Sequence, residues 1–522
     1  MRNPPRPRVL TPDVSPDPDK PPRPGRGVLQ KAFLAGVLIT LLTAATVSSA
    51  VLLEVDQLVD IVRTKSDVIP GVQNVLDDVD GGGPQTILVI GSDKRYQDEV
   101  TGAPARSDTL ILVRLNPDRE ATALLSIPRD LRTEIPGYGT ARINAAYANG
   151  GAKLTLRTVR QLFGIPIHHI VEVNFGGFRR AVDRLDCVYT DIDRRYYHSN
   201  AGLPVSQHYA EIDIKPGYQK LCGTRALEYV RFRHTDSDFV RGARQQDFLG
   251  QAKSQFGLSE VLGDRKKLVE IFSNYTRTDI RSTPAILRLL KLAFQSSGNP
   301  IQEVKFDGAQ DAEGGYIAIS PERLAEMRER FLSAEASKGP RQTESSAQKS
   351  RKPKKARKTK KRRRDKTRNL PPGVIDAKKE GETVAIQAAK EMRLPVYYPA
   401  ARLARGGYDS GERDYPPARA YKIRDRSKKR YDAYRLVLWE GEAGQYYGVQ
   451  GTSWKSPPIL DSPTETEKMR GRKYEMFYDG DLLRLIAWRT PRGAYWVSNT
   501  LSKKLTNRQM RAIARSLTRV GS

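Results

Sequence analysis

Four clusters of charged residues sit at the ends of apolar runs, where they could handle a phosphate. The first is Gly91-Ser92-Asp93-Lys94-Arg95, directly after an apolar run. The second is Arg106-Ser107-Asp108-Thr109, directly before one, and the third is Ser126-Ile127-Pro128-Arg129-Asp130. The fourth is Tyr229-Val230-Arg231-Phe232-Arg233, followed by Asp236, Asp238, Arg241, Arg244, Gln245 and Gln246. Asp93 and Asp108 together suit a hard cation such as Mg²⁺ (or Mn²⁺), which takes one or two carboxylates beside phosphate oxygens. Arg231 and Arg233, with Arg106 and Arg129, could clamp a phosphate or pyrophosphate through forked hydrogen bonds. A single surface Asp or Arg is more often a plain ion pair. Four mixed clusters at the boundaries of apolar elements weigh against that. No Walker-type loop and no Cys-His or clear Ser-His-Asp arrangement is present. The histidines, His168, His169, His198, His208 and His234, lack metal-ligand spacing and read as structural or exposed.

The elements that must position these clusters follow from the apolar pattern. Thr86–Gly91, Thr109–Leu115, Ala121–Ile127 and His168–Asn174 read as strands, with a turn at Asn116-Pro117-Asp118. Helical spacing covers Ala152–Phe163, Phe175–Leu185, Leu221–Arg231, Ala243–Phe256, Arg265–Tyr275 and Pro284–Gln295. Strands alternating with helices predict an α/β domain on one central sheet flanked by helices. Loops at strand ends are where such folds place their sites.

At 522 residues the chain exceeds one ordinary core, and its net charge of +29 calls for an anionic partner. Residues 32–53 carry no charge, enough for one membrane-spanning helix of about 20 residues. The basic flank before it (1–31, Pro- and Arg-rich) is expected in the cytoplasm, and everything after it outside. A cleaved signal peptide is the rival reading, but its apolar region is normally shorter, roughly 7–15 residues. Residues 54–83 read as a juxtamembrane linker and 84–335 as the main domain. Residues 336–370, including KSRKPKKARKTKKRRRDKTRN, cannot bury a core and read as a disordered basic linker. Residues 371–522 regain aromatic and alternating runs, among them Tyr434–Trp439 and Leu482–Arg489. With a closing helix at Asn507–Leu517, they predict a smaller, separate, strand-rich α+β domain.

The stretches ILVIGSDKR, ARSDTLILVRLNP, LLSIPRDL, RINAAYANGG and ALEYVRFRHTDSDFVRGARQQ, with the anchor before them, resemble the LytR-CpsA-Psr family of cell-wall glycopolymer ligases. The motifs span about residues 84–260. The resemblance implies Mg²⁺, a polyprenyl-pyrophosphate-linked glycan with its lipid in an apolar tunnel, and transfer of the phosphoglycan to peptidoglycan. By motif match Asp93 and Asp108 would be the metal carboxylates. Arg106, Arg129, Arg231, Arg233 and Arg241 would form the phosphate clamp, with Arg95 beside them and Asp238 and Gln245 in the same site. Asp238 is the first candidate for the base that deprotonates the attacking hydroxyl, and Asp130 the second. Two departures are visible: Leu185-Asp186-Cys187-Val188 replaces a more usual glycine-rich turn, and Arg142 stands where lysine is common.

The sequence therefore predicts an extracytoplasmic, single-pass membrane phosphotransferase acting in cell-wall biogenesis. Three other classes were weighed. A pyrophosphatase differs only in using water as the nucleophile. An inactive wall-binding scaffold would not need Asp93, Asp108 and the arginines. A membrane-linked transcriptional regulator needs a cytoplasmic nucleic-acid module, for which the tail before Lys31 is too short, so no nucleic-acid partner is expected. Outside the cytoplasm the two cysteines, Cys187 and Cys222, are predicted to pair. The basic linker is expected either to attract anionic wall polymers or lipid headgroups, or to act as an extended spacer.

Overall fold

A computed structural model of the chain describes residues 56–78, 82–92, 107–119, 121–204, 208, 210–232, 235–256, 265–280, 282–296, 299, 301–311, 315–335, 370–411, 415–469 and 471–521. The apolar run 32–53 and almost the whole of the basic segment 336–370 lie outside these residues. Among the described residues no helix is long and apolar enough to cross a membrane.

The apolar runs of the first half form one mixed seven-stranded sheet. Its order is Asp67–Val68, Thr276–Thr278, His169–Asn174, Gln85–Ser92, Ser107–Asn116, Ala121–Ile127 and Ile301–Val304. Gln85–Ser92 runs parallel to His169–Asn174 and antiparallel to Ser107–Asn116. Leu88, Leu112, Leu125 and Ile170 fall in register across four strands and are fully buried, which is why these runs are apolar. Helices Asn144–Phe163 and Pro321–Leu332 supply Leu156, Val159, Met327 and Phe331 to the same core.

The register decides where the chemistry gathers. Ser92, Ser107, Ile127 and Asn174 all fall at one edge of the sheet. The chain leaves that edge into Asp93, Pro128–Asp130 and the helix Phe175–Arg184. Gly91 makes the pairing possible, because a Cβ there would lie 3.0 Å from the Cβ of Thr109.

Helix boundaries differ from the sequence reading in three places. Asn144–Phe163 begins eight residues earlier than its periodicity suggests, because Gly150 and Gly151 kink it and interrupt the pattern. The next begins at Gly223 rather than Leu221, since Leu221 ends a strand paired with Val188. The third begins at Asp238 rather than Ala243, with Ser237 as its N-cap accepting from Val240 N.

Residues 370–521 build an eight-stranded antiparallel sheet, covered by helices Lys378–Lys390 and Asn507–Ser516. Its core includes Tyr434, Leu436, Trp488 and Val497. Residues 61–522 form one compact unit. Tyr189 and Tyr218 of the first half share a core with Ile423, Leu485 and Trp496 of the second. Asp191 accepts hydrogen bonds from Arg435 Nη1 at 3.1 Å and Trp496 Nε1 at 3.1 Å at the centre of that seam.

Candidate functional site

The site grows from the third and fourth clusters. Arg129 and Asp130 follow the strand Ala121–Ile127, and Asp238 and Arg241 occupy the first turn of the helix Asp238–Gln255. Gly242 lets that helix lie close on the strand, where an added Cβ would approach Ser126 Cβ to 3.3 Å. The result is an alternating chain of charges. Arg142 Nε lies 3.6 Å from Asp130, and Asp130 lies 3.4 Å from Arg129 Nε. Arg129 Nε is 4.0 Å from Asp238 Oδ2, and Asp238 Oδ1 is 2.8 Å from Arg241 Nη2. Asp238 and Arg241 side chains are each 8% exposed, so this inner pair is screened far less than a surface pair, while Arg142 at the other end is half exposed.

Gln245, one turn further on, ties the helix to its neighbours. Its Nε2 donates to Thr109 Oγ1 at 3.2 Å and to Val230 O at 3.1 Å. Arg231 ends the helix Gly223–Arg231, and its guanidinium sits 3.8 Å over the ring of Phe175. Phe175 opens the helix that walls an apolar cavity of about 410 Å³, lined by Val173, Phe178, Ala181, Leu268 and Phe272. A cationic group and a greasy slot therefore adjoin at the same sheet edge.

The structure thus brings together Arg129, Asp130, Asp238, Arg241 and Gln245, with Arg231 beside the apolar slot. Asp93, Arg95, Arg106 and Arg233 lie outside the described residues, as does the side chain of Asp108. The backbone of Asp108 is in the strand Ser107–Asn116, at the end that pairs with Ser92, the residue before Asp93. Among the described residues, Asp183, Cys187 and Cys222 converge closely enough to suggest a metal. Cys187 and Cys222 are joined in a disulfide, which removes their thiolates.

Two supporting networks carry no sequence motif of their own. Glu172, buried, accepts from Tyr147 OH at 2.5 Å and Ser92 Oγ at 3.2 Å, and faces Arg277 at 3.5 Å. It pins the strand end that leads into Asp93. Burial, then the Glu172 charge, push the Tyr147 hydroxyl well above its usual range, so it stays protonated as a donor. Behind the fourth cluster, Asp236 bridges Arg194 at 2.6 Å and Arg244, all three side chains almost wholly buried. Burial alone would raise the Asp236 carboxyl, but Arg244 and Arg194 outweigh it and hold it below the usual range. Arg244 also donates to Phe232 O and lies over Tyr196 at 4.9 Å. It braces the motif from inside, while Arg241 faces the site.

The departure at residues 185–188 has a structural answer. Asp186 and Cys187 take positive φ angles of 57° and 65°, the region that glycine adopts freely. The disulfide and a 2.6 Å bridge from Lys220 to Asp186 hold the turn there. Two of the histidines act structurally: His168 Nδ1 accepts from Thr86 N at 2.9 Å, and His169 pairs with Asp279 at 2.8 Å, whereas His234 lies outside the described residues. Arg142 donates to Gly315 O at 3.0 Å as well as facing Asp130.

A mixed sheet flanked by helices, with arginines and carboxylates gathered at one edge beside an apolar slot, defines the fold as α/β. Residues 52–331 match the LytR_cpsA_psr family, more than half of the chain, and the chain belongs to that family. It is 33% identical over 261 residues to the Polyisoprenyl-teichoic acid–peptidoglycan teichoic acid transferase TagU of Halalkalibacterium halodurans, covering 49% of this chain and 81% of that one. It is 35% identical over 164 residues to the teichoic acid transferase TagT of Bacillus subtilis, covering 31% of this chain and 50% of that one. A solved structure of the family protein TagT with bound octaprenyl pyrophosphate lipid is 24% identical and covers 51% of this chain and 97% of that one, with a TM-score of 0.37.

Proposed function

We propose that this chain transfers a glycopolymer from a polyprenyl-pyrophosphate carrier onto peptidoglycan, as an extracytoplasmic phosphotransferase of cell-wall biogenesis. The observation that carries the reading is the alternation Arg129–Asp238–Arg241 at the sheet edge, with the Asp238 and Arg241 side chains nearly buried. Two arginines fixed by a shared carboxylate present forked donors to phosphate oxygens at little reorganisation cost. Relatives named as teichoic acid transferases support the same reaction class.

In this reading the prenyl chain enters the slot lined by Val173, Phe178 and Phe272, each buried CH₂ contributing about 0.8 kcal/mol. Arg231, over Phe175 beside the slot, meets the lipid-side phosphate, and Arg129 and Arg241 the sugar-side phosphate. A peptidoglycan sugar hydroxyl attacks the sugar-side phosphorus. Its proton passes to Asp238 Oδ2, a buried oxygen that takes no hydrogen bond from any described residue. The bond from that phosphorus to the bridging oxygen breaks, and polyprenyl phosphate leaves with its charge met by Arg231. Asp130, between Arg129 and Arg142, orients the clamp. Asp93 and Asp108 would hold a Mg²⁺ or Mn²⁺ that neutralises phosphate charge. Arg95, Arg106 and Arg233 complete the cationic rim, and residues 32–53 anchor the chain in the membrane with the site outside.

The test is incubation of the purified full-length chain with a lipid-linked pyrophosphoryl glycan, Mg²⁺ and peptidoglycan. Phosphodiester-linked glycan on peptidoglycan is expected, and Asp238→Asn should abolish it while keeping donor binding. Release of free glycan phosphate alone would replace transfer by hydrolysis.

A further inference from the structure

A cavity of about 540 Å³ beside these residues has two walls from distant parts of the chain. Asp238, Arg241, Gln245 and Ser126 form one. Glu442, Gln445 and Lys504, from loops of the C-terminal half, form the other. The second wall is fixed in place. Lys503, buried, bridges Glu303 of the central sheet's edge strand and Asp479 of the C-terminal sheet. Lys305 Nζ donates to Ser502 O at 2.5 Å, and Lys504 pairs with Glu442 at 2.9 Å.

Three buried polar atoms of cavity-lining residues take part in no hydrogen bond with any described residue: Ser126 Oγ and Asp238 Oδ2 on one wall and Gln445 Oε1 on the other. Gln445 is 4% exposed, and its Nε2 is already committed to Ser502 Oγ at 3.1 Å, which leaves its Oε1 as an acceptor. The rings of Phe239 and Phe306, 6.3 Å apart and nearly parallel at 28°, line the same space. Acceptor oxygens, cationic and amide donors and an aromatic face within a few hundred Å³ suit a ligand that is rich in hydroxyls and has C–H faces. A prenyl chain there would leave each buried acceptor unpaired, at about 1–3 kcal/mol apiece.

We propose that the loops around Gln445 and Lys504 bind a saccharide segment of the substrate beside Asp238, so that the C-terminal half is part of the transfer site. This rests on the transferase reading above. The segment belongs either to the donor glycan or to the acceptor strand. Both offer the same chemistry, and the probes separate them.

Three probes are titrated against the full-length chain: a polyprenyl pyrophosphate without sugar, the same lipid carrying a disaccharide, and a soluble oligosaccharide of peptidoglycan. The variants are Gln445→Ala and Lys504→Ala; Lys504 is 43% exposed, so its removal leaves the core intact. Each should weaken one saccharide probe about tenfold, as expected for one or two lost hydrogen bonds in a dry site, and leave the bare lipid within about twofold. Loss confined to the disaccharide-lipid assigns the wall to the donor, and loss confined to the oligosaccharide assigns it to the acceptor. Equal losses on all three probes, or none on either saccharide as for a water-filled cavity, overturn the proposal while the transferase reading stands. If the unsubstituted chain binds none of the three, the transferase reading falls and this inference with it.

Discussion

Replacing Asp236 with Ala should unfold the site from behind without touching any residue that meets the substrate. Asp236 is the shared anion of Arg194 and Arg244, and the side chains of all three are at most 1% exposed. The variant leaves two buried guanidinium groups without their shared anion, with Asp193 as a nearby carboxylate that interacts with both. Breaking a buried pair by removing one partner costs about 3–5 kcal/mol, because the remaining charge is uncompensated. Here the loss is expected near the lower end, about 3 kcal/mol at pH 7. Removing Asp236 also removes a repulsion that raises Asp193, whose charge then covers part of the deficit. At pH 5 Asp193 takes up a proton more readily and the loss should grow. The assay is equilibrium unfolding in urea of the full-length chain and the variant at both pH values, compared at constant m. Asp238→Asn is the control: it should lose transfer yet unfold within about 1 kcal/mol of the parent. A loss under about 1 kcal/mol for Asp236→Ala, or a loss that shrinks at pH 5, would refute the assignment of Arg244 and Arg194 to one buried ion cluster.

Other outcomes follow from the same contacts. Asp193 is raised to about 6, by burial first, with Arg194 and the Tyr196 hydrogen bond opposing. A carboxyl raised on folding stabilises fully below its unfolded pKa and loses that contribution as pH rises through the folded value, here about 3 kcal/mol between pH 4 and pH 7; Asp193→Asn should remove this slope from thermal unfolding midpoints. Reducing Cys187–Cys222, which are 35 residues apart, should cost about 4 kcal/mol in the chain-entropy model, read as a shift in urea midpoint with and without reductant. Asp191→Ala strands the buried Arg435 and should cost about 3 kcal/mol and speed proteolysis of the C-terminal half; unchanged digestion would count against a shared core. Neutralising the lysines and arginines of 352–366 should weaken salt-sensitive retention on teichoic-acid-like polymers, and unchanged retention leaves only the spacer role.

Much of the central sheet can be read from the sequence because its strands are buried on both faces and therefore appear as unbroken apolar runs. Ala121–Ile127 matches to the residue. The hairpin Arg132–Ile135 with Gly139–Arg142 and the short pair around Tyr196 and Ile212 are not legible, because three or four residues are too few to show a period. The cavity wall at Glu442, Gln445 and Lys504 is illegible for a different reason. It belongs to loops more than 200 residues further along the chain than Asp238, without a motif, and tertiary contacts bring them near, among them the seam around Asp191, Tyr218 and Trp496 and the bridge from Lys503 to Glu303. The Glu172–Tyr147 pair left a faint trace: Tyr147 lies in the quoted stretch RINAAYANGG, and Glu172 is the one acid in the strand His169–Asn174.

The fourth motif shows what placing one helix start would have decided. Read as a string, Asp236, Asp238, Arg241, Arg244 and Gln245 form one charged cluster. Read as a helix capped by Ser237, residues 238, 241 and 245 recur at i, i+3 and i+7 and share a stripe. Residues 244, 248, 251 and 255 form the adjoining stripe, turned inward. The structure follows that division: Arg241 and Gln245 reach Asp238 and Thr109 at the site. Arg244 instead binds Asp236, and Gln251 and Gln255 accept from the backbone of Asp191 and Tyr189. Beginning the helix at Ala243 removed the first turn and, with it, the register that separates brace from clamp. The signal was the Ser-x-x-Val spacing at Ser237, where a hydroxyl precedes an acid in the first turn. Asp238 sits in that first turn, where it meets Arg241 at 2.8 Å and Arg129 at 4.0 Å. The same local rule that starts the helix thus sets the anion around which the two arginines of the clamp are fixed.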